Sequence, residues 1–173
     1  LSIFMCGVNE RQCSKMTSLP SIVYVDHPFA SGNAPGWASS WGEDAFGPWV
    51  TLRVGTASQR MRGIFPGRYE MGSPATENGR YADEGPPHEE TISAGVWMFD
   101  TPCTQALWES VMGKTPSDFK GSLRPVENVS WDDCQEFITK LNGELSGLVL
   151  ELPSEACWEY GCRAGTQTPI WNS

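Results

Sequence analysis

Over the first 36 residues apolar and polar positions follow no clear period. Residues 21–24 could form a short strand, and Pro28 to Gly36 is loop by composition. From Trp37 the pattern sharpens. Residues 42–47 form a turn between glycines, and Trp49-Val50-Thr51-Leu52-Arg53-Val54 alternates as a strand that stops at Gly55. A second strand is expected around Gln59 to Phe65, leading through Pro66-Gly67 into Tyr69-Glu70-Met71-Gly72-Ser73. Thr91-Ile92-Ser93 and Val96-Trp97-Met98-Phe99 read as strands broken at Gly95.

Beyond Thr101 the spacing becomes helical. Thr104 caps a helix through Met112 whose apolar stripe is Leu107, Trp108, Val111 and Met112, with Gly113 as its left-handed stop. A second helix starts at Ser130, places Asp132 and Asp133 where the helix dipole favours negative charge, and buries Trp131, Cys134, Phe137, Ile138 and Leu141 before ending at Gly143. Ser130 and Asp133 together make a short-armed capping box. A third helix starts at Ser154 after Pro153 and ends by Gly165. Trp131 and Trp158 are expected to anchor the last two helices in the core. No internal repeat is visible. The chain divides into a tail or linker over 1–36, a strand hairpin over 37–60 and a main domain over 61–173.

Composition agrees with a loop-rich fold. Eight tryptophans among 18 glycines and 13 prolines describe a chain pinned by large aromatics, and so many helix breakers exclude a helical bundle. The net charge of −9 and scattered Lys and Arg argue against nucleic acid as a partner. No apolar run approaches the roughly 20 residues of a membrane-spanning helix. The chain begins with Leu1, and residues 1–5 are too short for a signal-peptide core, so it is expected to be a fragment or processed product, with its compartment left open.

Candidate chemistry is sparse. Cysteines at 6, 13, 103, 134, 157 and 162 match no zinc spacing and read mostly as reduced, small apolar residues. Cys157 and Cys162 share a helix, where five positions separate them by about 140° around the axis; that geometry rules out a disulfide between them. Glu77, Asp83, Glu84, Glu89 and Glu90 crowd residues 75–90, but no interleaved Asp-x-Asp-x-Asp-Gly pattern is present, and a solvated acidic loop is expected instead of a cation site. His88, beside two prolines, reads as structural. Two histidines and no strained nucleophile turn leave no Ser/His/Asp set, and Gly113-Lys114-Thr115 follows a helix instead of opening one, as a phosphate loop would.

Five stretches in order carry a resemblance over roughly residues 61 to 173. They are Ile64-Phe65-Pro66-Gly67-Arg68-Tyr69-Glu70-Met71-Gly72-Ser73, Thr101 to Gly113, Pro116-Ser117-Asp118-Phe119-Lys120-Gly121, Val129-Ser130-Trp131-Asp132, and Leu152-Pro153-Ser154-Glu155-Ala156-Cys157-Trp158-Glu159-Tyr160. This chain resembles the N-terminal part of the formylglycine-generating enzyme family, also called the sulfatase-modifying factor family. It departs from the pattern at Cys103, where Val is usual, at Glu90, where a strand Val is common, and at Cys157, where a Glu completes the capping box. The last change predicts a loss of roughly 0.5–1 kcal/mol in a helix that nonetheless forms.

The resemblance implies a C-type-lectin-like α+β fold, incomplete at the C-terminus of this chain. It implies oxygen-dependent conversion of a sulfatase cysteine to formylglycine, with a sulfatase or other protein as partner and two cysteines with copper(I) as the machinery; calcium is the family's structural ion. The family's active cysteine pair lies in its later half, so no catalytic, cofactor-binding or metal-ligating residue is assigned here. The resemblance also implies that Cys162 matches a cysteine whose partner, in some members, lies in that later half. The alternative expectation is a non-catalytic, lectin-like module that binds a protein or small ligand.

Overall fold

The alternation over residues 49–54 becomes the central hairpin of a sheet in the computed structural model, which describes residues 6–9 and 35–166. Strand β3 (Gly47–Val54) buries Pro48, Val50, Leu52 and Val54 on one face, and β4 (Ala57–Ile64) adds Ala57, Gln59 and Met61 to the same face through the pairs Val50↔Met61, Leu52↔Gln59 and Val54↔Ala57. The sheet is antiparallel throughout, in the order β2-β3-β4-β7-β1-β8, with β1 (Cys6–Asn9), β2 (Ser40–Asp44), β7 (Val96–Phe99) and β8 (Leu148–Glu151) completing it. A separate two-stranded ribbon pairs β5 (Gly67–Met71) with β6 (His88–Ile92).

Two features differ from the division expected above. Cys6–Asn9, inside the expected tail, is a strand between β7 and β8, and the hairpin of residues 47–64 is part of the main sheet instead of preceding it. Strand pairing joins residues far apart in sequence, and four residues carry too little periodicity to announce it. Strand β8 is a short apolar run between Gly147 and Pro153, a pattern that periodicity alone does not distinguish from the start of a helix. The short strand expected at residues 21–24 lies outside the described residues.

Three helices start at the expected caps, although the second runs past its expected stop at Gly143 to Glu144. Helix α1 (Gln105–Met112) has the Thr104 hydroxyl accepting from the Leu107 amide and ends at Gly113 with φ 76°. Helix α2 (Trp131–Glu144) carries the full capping box: the Ser130 hydroxyl accepts from the Asp133 amide at 3.1 Å, and the Asp133 carboxylate accepts from the Ser130 amide at 2.8 Å. The Ser130 hydroxyl also donates to the Asp133 carboxylate at 2.6 Å, and this bond, followed by the one from the Ser130 amide, holds the Asp133 carboxyl below the usual carboxylate range. Helix α3 (Glu155–Arg163) has the hydroxyl half of the same device, Ser154 accepting from the Cys157 amide at 3.2 Å.

Helices α1 and α2 cover one face of the sheet. Leu107, Trp108, Phe137, Ile138 and Leu141 close over Val50, Leu52, Met61, Trp97 and Phe99, and Trp108 stacks on Phe137 with centroids 4.7 Å apart. Met98 points to the other face, where Cys157 of α3 meets it. Gly161 lets α3 approach closely, since a Cβ there would lie 2.9 Å from the Met98 sulfur. The two motif tryptophans do not anchor the core as expected. Trp131 is 61% exposed and Trp158 43% exposed. The buried stripe of α2 starts at Cys134 and runs through Phe137, Ile138 and Leu141, which leaves its first turn outside the core.

Candidate functional site

The stretches that carry the resemblance build two junctions. The first holds α3 to the β5–β6 ribbon. Glu159 accepts from the Gly72 amide at 2.9 Å, and Arg163, paired to Glu159 at 2.6 Å, donates to the Gly72 carbonyl at 2.7 Å. Tyr69 donates to the Ala156 carbonyl at 2.8 Å and packs against Tyr160 at 5.2 Å. Burial, followed by the nearby Glu159 charge, pushes the Tyr69 hydroxyl up to about 12, so it stays a donor. Gly72 has φ 93°, and a Cβ there would lie 2.6 Å from the Glu84 carbonyl oxygen. Only glycine fits that turn without strain.

The second junction shapes the loop between α1 and α2 around Gln105, whose side chain is buried. Its amide nitrogen donates to the carbonyls of Phe119 (2.9 Å) and Pro125 (3.0 Å), while its oxygen accepts from the Gly121 amide at 3.1 Å. Ser117 accepts from the Glu127 amide, Glu127 accepts from the Phe119 amide, and Asn128 donates to Asp118. These bonds lay residues 117–119 against 127–128, just before Ser130. The loop therefore presents Phe119, 69% exposed, and Leu123, 84% exposed, on a hydrogen-bonded frame. Beside it, Glu109, Lys114, Thr115, Lys120 and Ser122 border an open recess of about 460 Å³ floored by Gln105. Such a recess can take a small polar group; it holds no nucleophile paired with a base.

A third charged cluster lies on the outer face of the hairpin. Asp44 pairs with Arg60 and with Arg62, and Asp100 lies 3.2 Å from Arg60. The Arg62 hydrogen bond is the main cause holding Asp44 below the usual range, whereas burial pushes Asp100 up. Arg60 also lies over the Trp49 ring at 4.7 Å. Two acids and two bases here form one ion-paired network, in which the buried Arg60 Nε faces Asp100 without a hydrogen bond.

The residues weighed from sequence are dispersed. Glu84 accepts from the Ser73 hydroxyl and the Tyr81 amide, and Glu89 pairs with Arg68. His88 lies at the start of β6 with Nδ1 3.1 Å from the Pro86 carbonyl oxygen. No three His, Cys, Asp or Glu side chains gather for a metal among the described residues. Cys157 is buried and Cys162 is an exposed free thiol, so the two are not bonded to each other. Cys103 and Cys134 are free and buried. Burial pushes Cys103 up to about 12 and raises Cys134 and Cys162 as well.

Thiol chemistry should follow that order. With an alkylating reagent at pH 8, Cys162 is expected to react in the native protein while Cys103 reacts only after unfolding. Equal rates would contradict the burial of Cys103. A raised folded-state value also means that the unfolded thiol ionises first. Its contribution to stability is therefore full below the ordinary thiol value of 9 and declines as pH rises towards 12.

A family model described as the sulfatase-modifying factor enzyme 1-like domain matches residues 53–172. The formylglycine-generating enzyme of Mus musculus is 32% identical over 84 residues, which is 49% of this chain and 20% of that protein. The chaperone protein LppX of Paenibacillus barcinonensis is 56% identical over 34 residues, 20% of this chain and 12% of that protein. Among solved structures, Treponema denticola variable protein 1 superposes with a TM-score of 0.59 at 26% identity, covering 72% of this chain and 60% of that one. PvdO from Pseudomonas aeruginosa gives 0.59 at 24% identity, covering 69% and 53%, and shares the fold. The chain thus spans a fifth or less of the curated relatives it matches, and under two thirds of either solved structure. Its sheet, ribbon and three helices form a C-type-lectin-like α+β fold, and the chain belongs to the sulfatase-modifying factor family.

Proposed function

We propose that this chain is the framework portion of a formylglycine-generating oxidase, a protein that converts a cysteine of a sulfatase to formylglycine with oxygen. The observation that carries this reading is the 32% identity with the mouse formylglycine-generating enzyme over 84 residues, together with a family match running from 53 to 172. The geometry supports a framework role. In the stretches shared with the family, Gly72, Gln105 and Glu159 tie elements and loops together, and Ser130 and Ser154 cap helices. Copper(I) needs an accessible pair of thiolates, and of Cys103, Cys134, Cys157 and Cys162 the first three are buried and the last is exposed, so these four offer no exposed pair. The described residues do not fit calcium either, since its six to eight oxygen ligands would have to come from carboxylates that are dispersed here. In this reading both metals are held by other residues of the longer protein.

The test is a longer protein that contains this chain, supplied with copper(I) and oxygen and given a peptide with the Cys-x-Pro-x-Arg motif. Mass spectrometry is expected to find an aldehyde in place of the thiol. An unchanged peptide with fully loaded protein would sink the oxidase reading.

A second reading has its own support, in the exposed Phe119 and Leu123 and in the likeness to Treponema denticola variable protein 1 over 72% of this chain. It is a lectin-like module that binds a protein or small ligand through surface loops. It predicts ligand affinity without formylglycine formation.

A further inference from the structure

The outer edge of β8 is closed by a side chain. Gly7↔Leu150 is a pair in the β1–β8 ladder, yet the Leu150 amide donates to Asn142 Oδ1 at 2.8 Å and the Leu150 carbonyl accepts from Asn142 Nδ2 at 2.8 Å. In an antiparallel ladder the backbone groups of successive residues turn alternately towards and away from a given neighbour. Leu150 therefore faces away from β1, and so does Leu148 two positions earlier. Among the described residues β8 is the last strand of the sheet. It is apolar, and the unpaired N–H and C=O groups along an apolar edge are a template for another strand.

We propose that Asn142 is an edge plug, which keeps β8 from pairing with a strand of a second copy of this chain. A carboxamide carries one donor and one acceptor, as a peptide group does. Asn142 thus takes both groups that Leu150 would offer to an incoming strand. It is fixed in the last turns of α2, whose Phe137, Ile138 and Leu141 are locked in the core, so the carboxamide is held in place by the helix that carries it. An added strand would have to break both bonds at Leu150 before its own ladder could form. The plug also accounts for a half-buried Asn two residues before the end of a helix, a position where its local propensity offers nothing.

The alternative is a staple that only stabilises the α2–β8 connection, and two variants of the full chain separate the two. Asn142→Ala frees both groups of Leu150 and leaves the edge bare. Asn142→Asp also loses the donor to the Leu150 carbonyl but places a charge at the edge, which opposes strand addition. Light scattering over a concentration series should show Asn142→Ala associating beyond wild type while Asn142→Asp does not. Association of neither variant, or of both equally, overturns the plug. Hydrogen exchange on the wild-type chain gives an answer that needs no variant to fold. The Leu150 amide should exchange at least about tenfold more slowly than the outward-facing Leu148 amide. Comparable rates at the two positions overturn the proposal.

Discussion

Replacing Gln105 by Leu is expected to lower the unfolding free energy by about 3 kcal/mol. The two side chains are close in size, and Gln105 is only 3% exposed, so the change removes hydrogen bonds without opening a cavity. It strands three peptide groups, the carbonyls of Phe119 and Pro125 and the amide of Gly121. Each buried group left without a partner costs about 1–3 kcal/mol, and the loop can relieve part of this by peeling into water. Urea unfolding gives the total, and faster exchange at the Gly121 amide locates it. A loss under about 0.5 kcal/mol, the range of an ordinary surface substitution, would mean that the loop does not depend on Gln105. Under the binding reading the same variant should also weaken ligand affinity, because Phe119 and Leu123 lose the frame that presents them.

Phe137→Ala should cost about 3–5 kcal/mol, the range for truncating a buried aromatic ring. Phe137 is fully buried and lies almost parallel to Trp108, at 7° and 4.7 Å, so the variant loses apolar burial, close packing and the ring pair together. Phe137→Leu keeps most of the volume and should cost under about 1.5 kcal/mol. Trp108 loses its stacking partner in both, so its fluorescence should change in both while stability separates them. Equal costs for Ala and Leu would mean that the site collapses around the missing ring, and that α2 is held mainly by its other contacts.

The local grammar of this chain was legible because each signal acts within a few residues. Thr104, Ser130 and Ser154 start helices at the expected positions, since a hydroxyl satisfies an amide three residues on whatever lies farther away. The alternation of residues 49–54 marked a strand because one face of it is buried. Longer reach defeated the reading at both motif tryptophans. Periodicity says which positions share a face, and Trp131 does share one with Cys134; it cannot say where the covering elements stop. The β1 strand failed for a related reason, its partners lying at residues 97–98 and 148–151.

Sites followed the same division. The separation of Cys157 from Cys162 could be argued from their spacing on one helix. The roles of Gln105 and Asn142 could not, because a polar residue on a helix looks alike in sequence whether it faces water or a strand edge. Glu159 showed itself only as part of a shared stretch, and its tie to Gly72 appears once α3 lies on the ribbon.

By itself the sequence determined the helices, their N-caps, the central hairpin and the family, since these depend on near neighbours and on motif order. Tertiary structure alone decided that the motif tryptophans face outward, that burial raises the thiols of Cys103, Cys134 and Cys162 and that Leu150 is closed to a further strand. Burial and hydrogen-bond partnership are properties of what packs on a residue, and here the packing partners lie from 8 to 91 positions away.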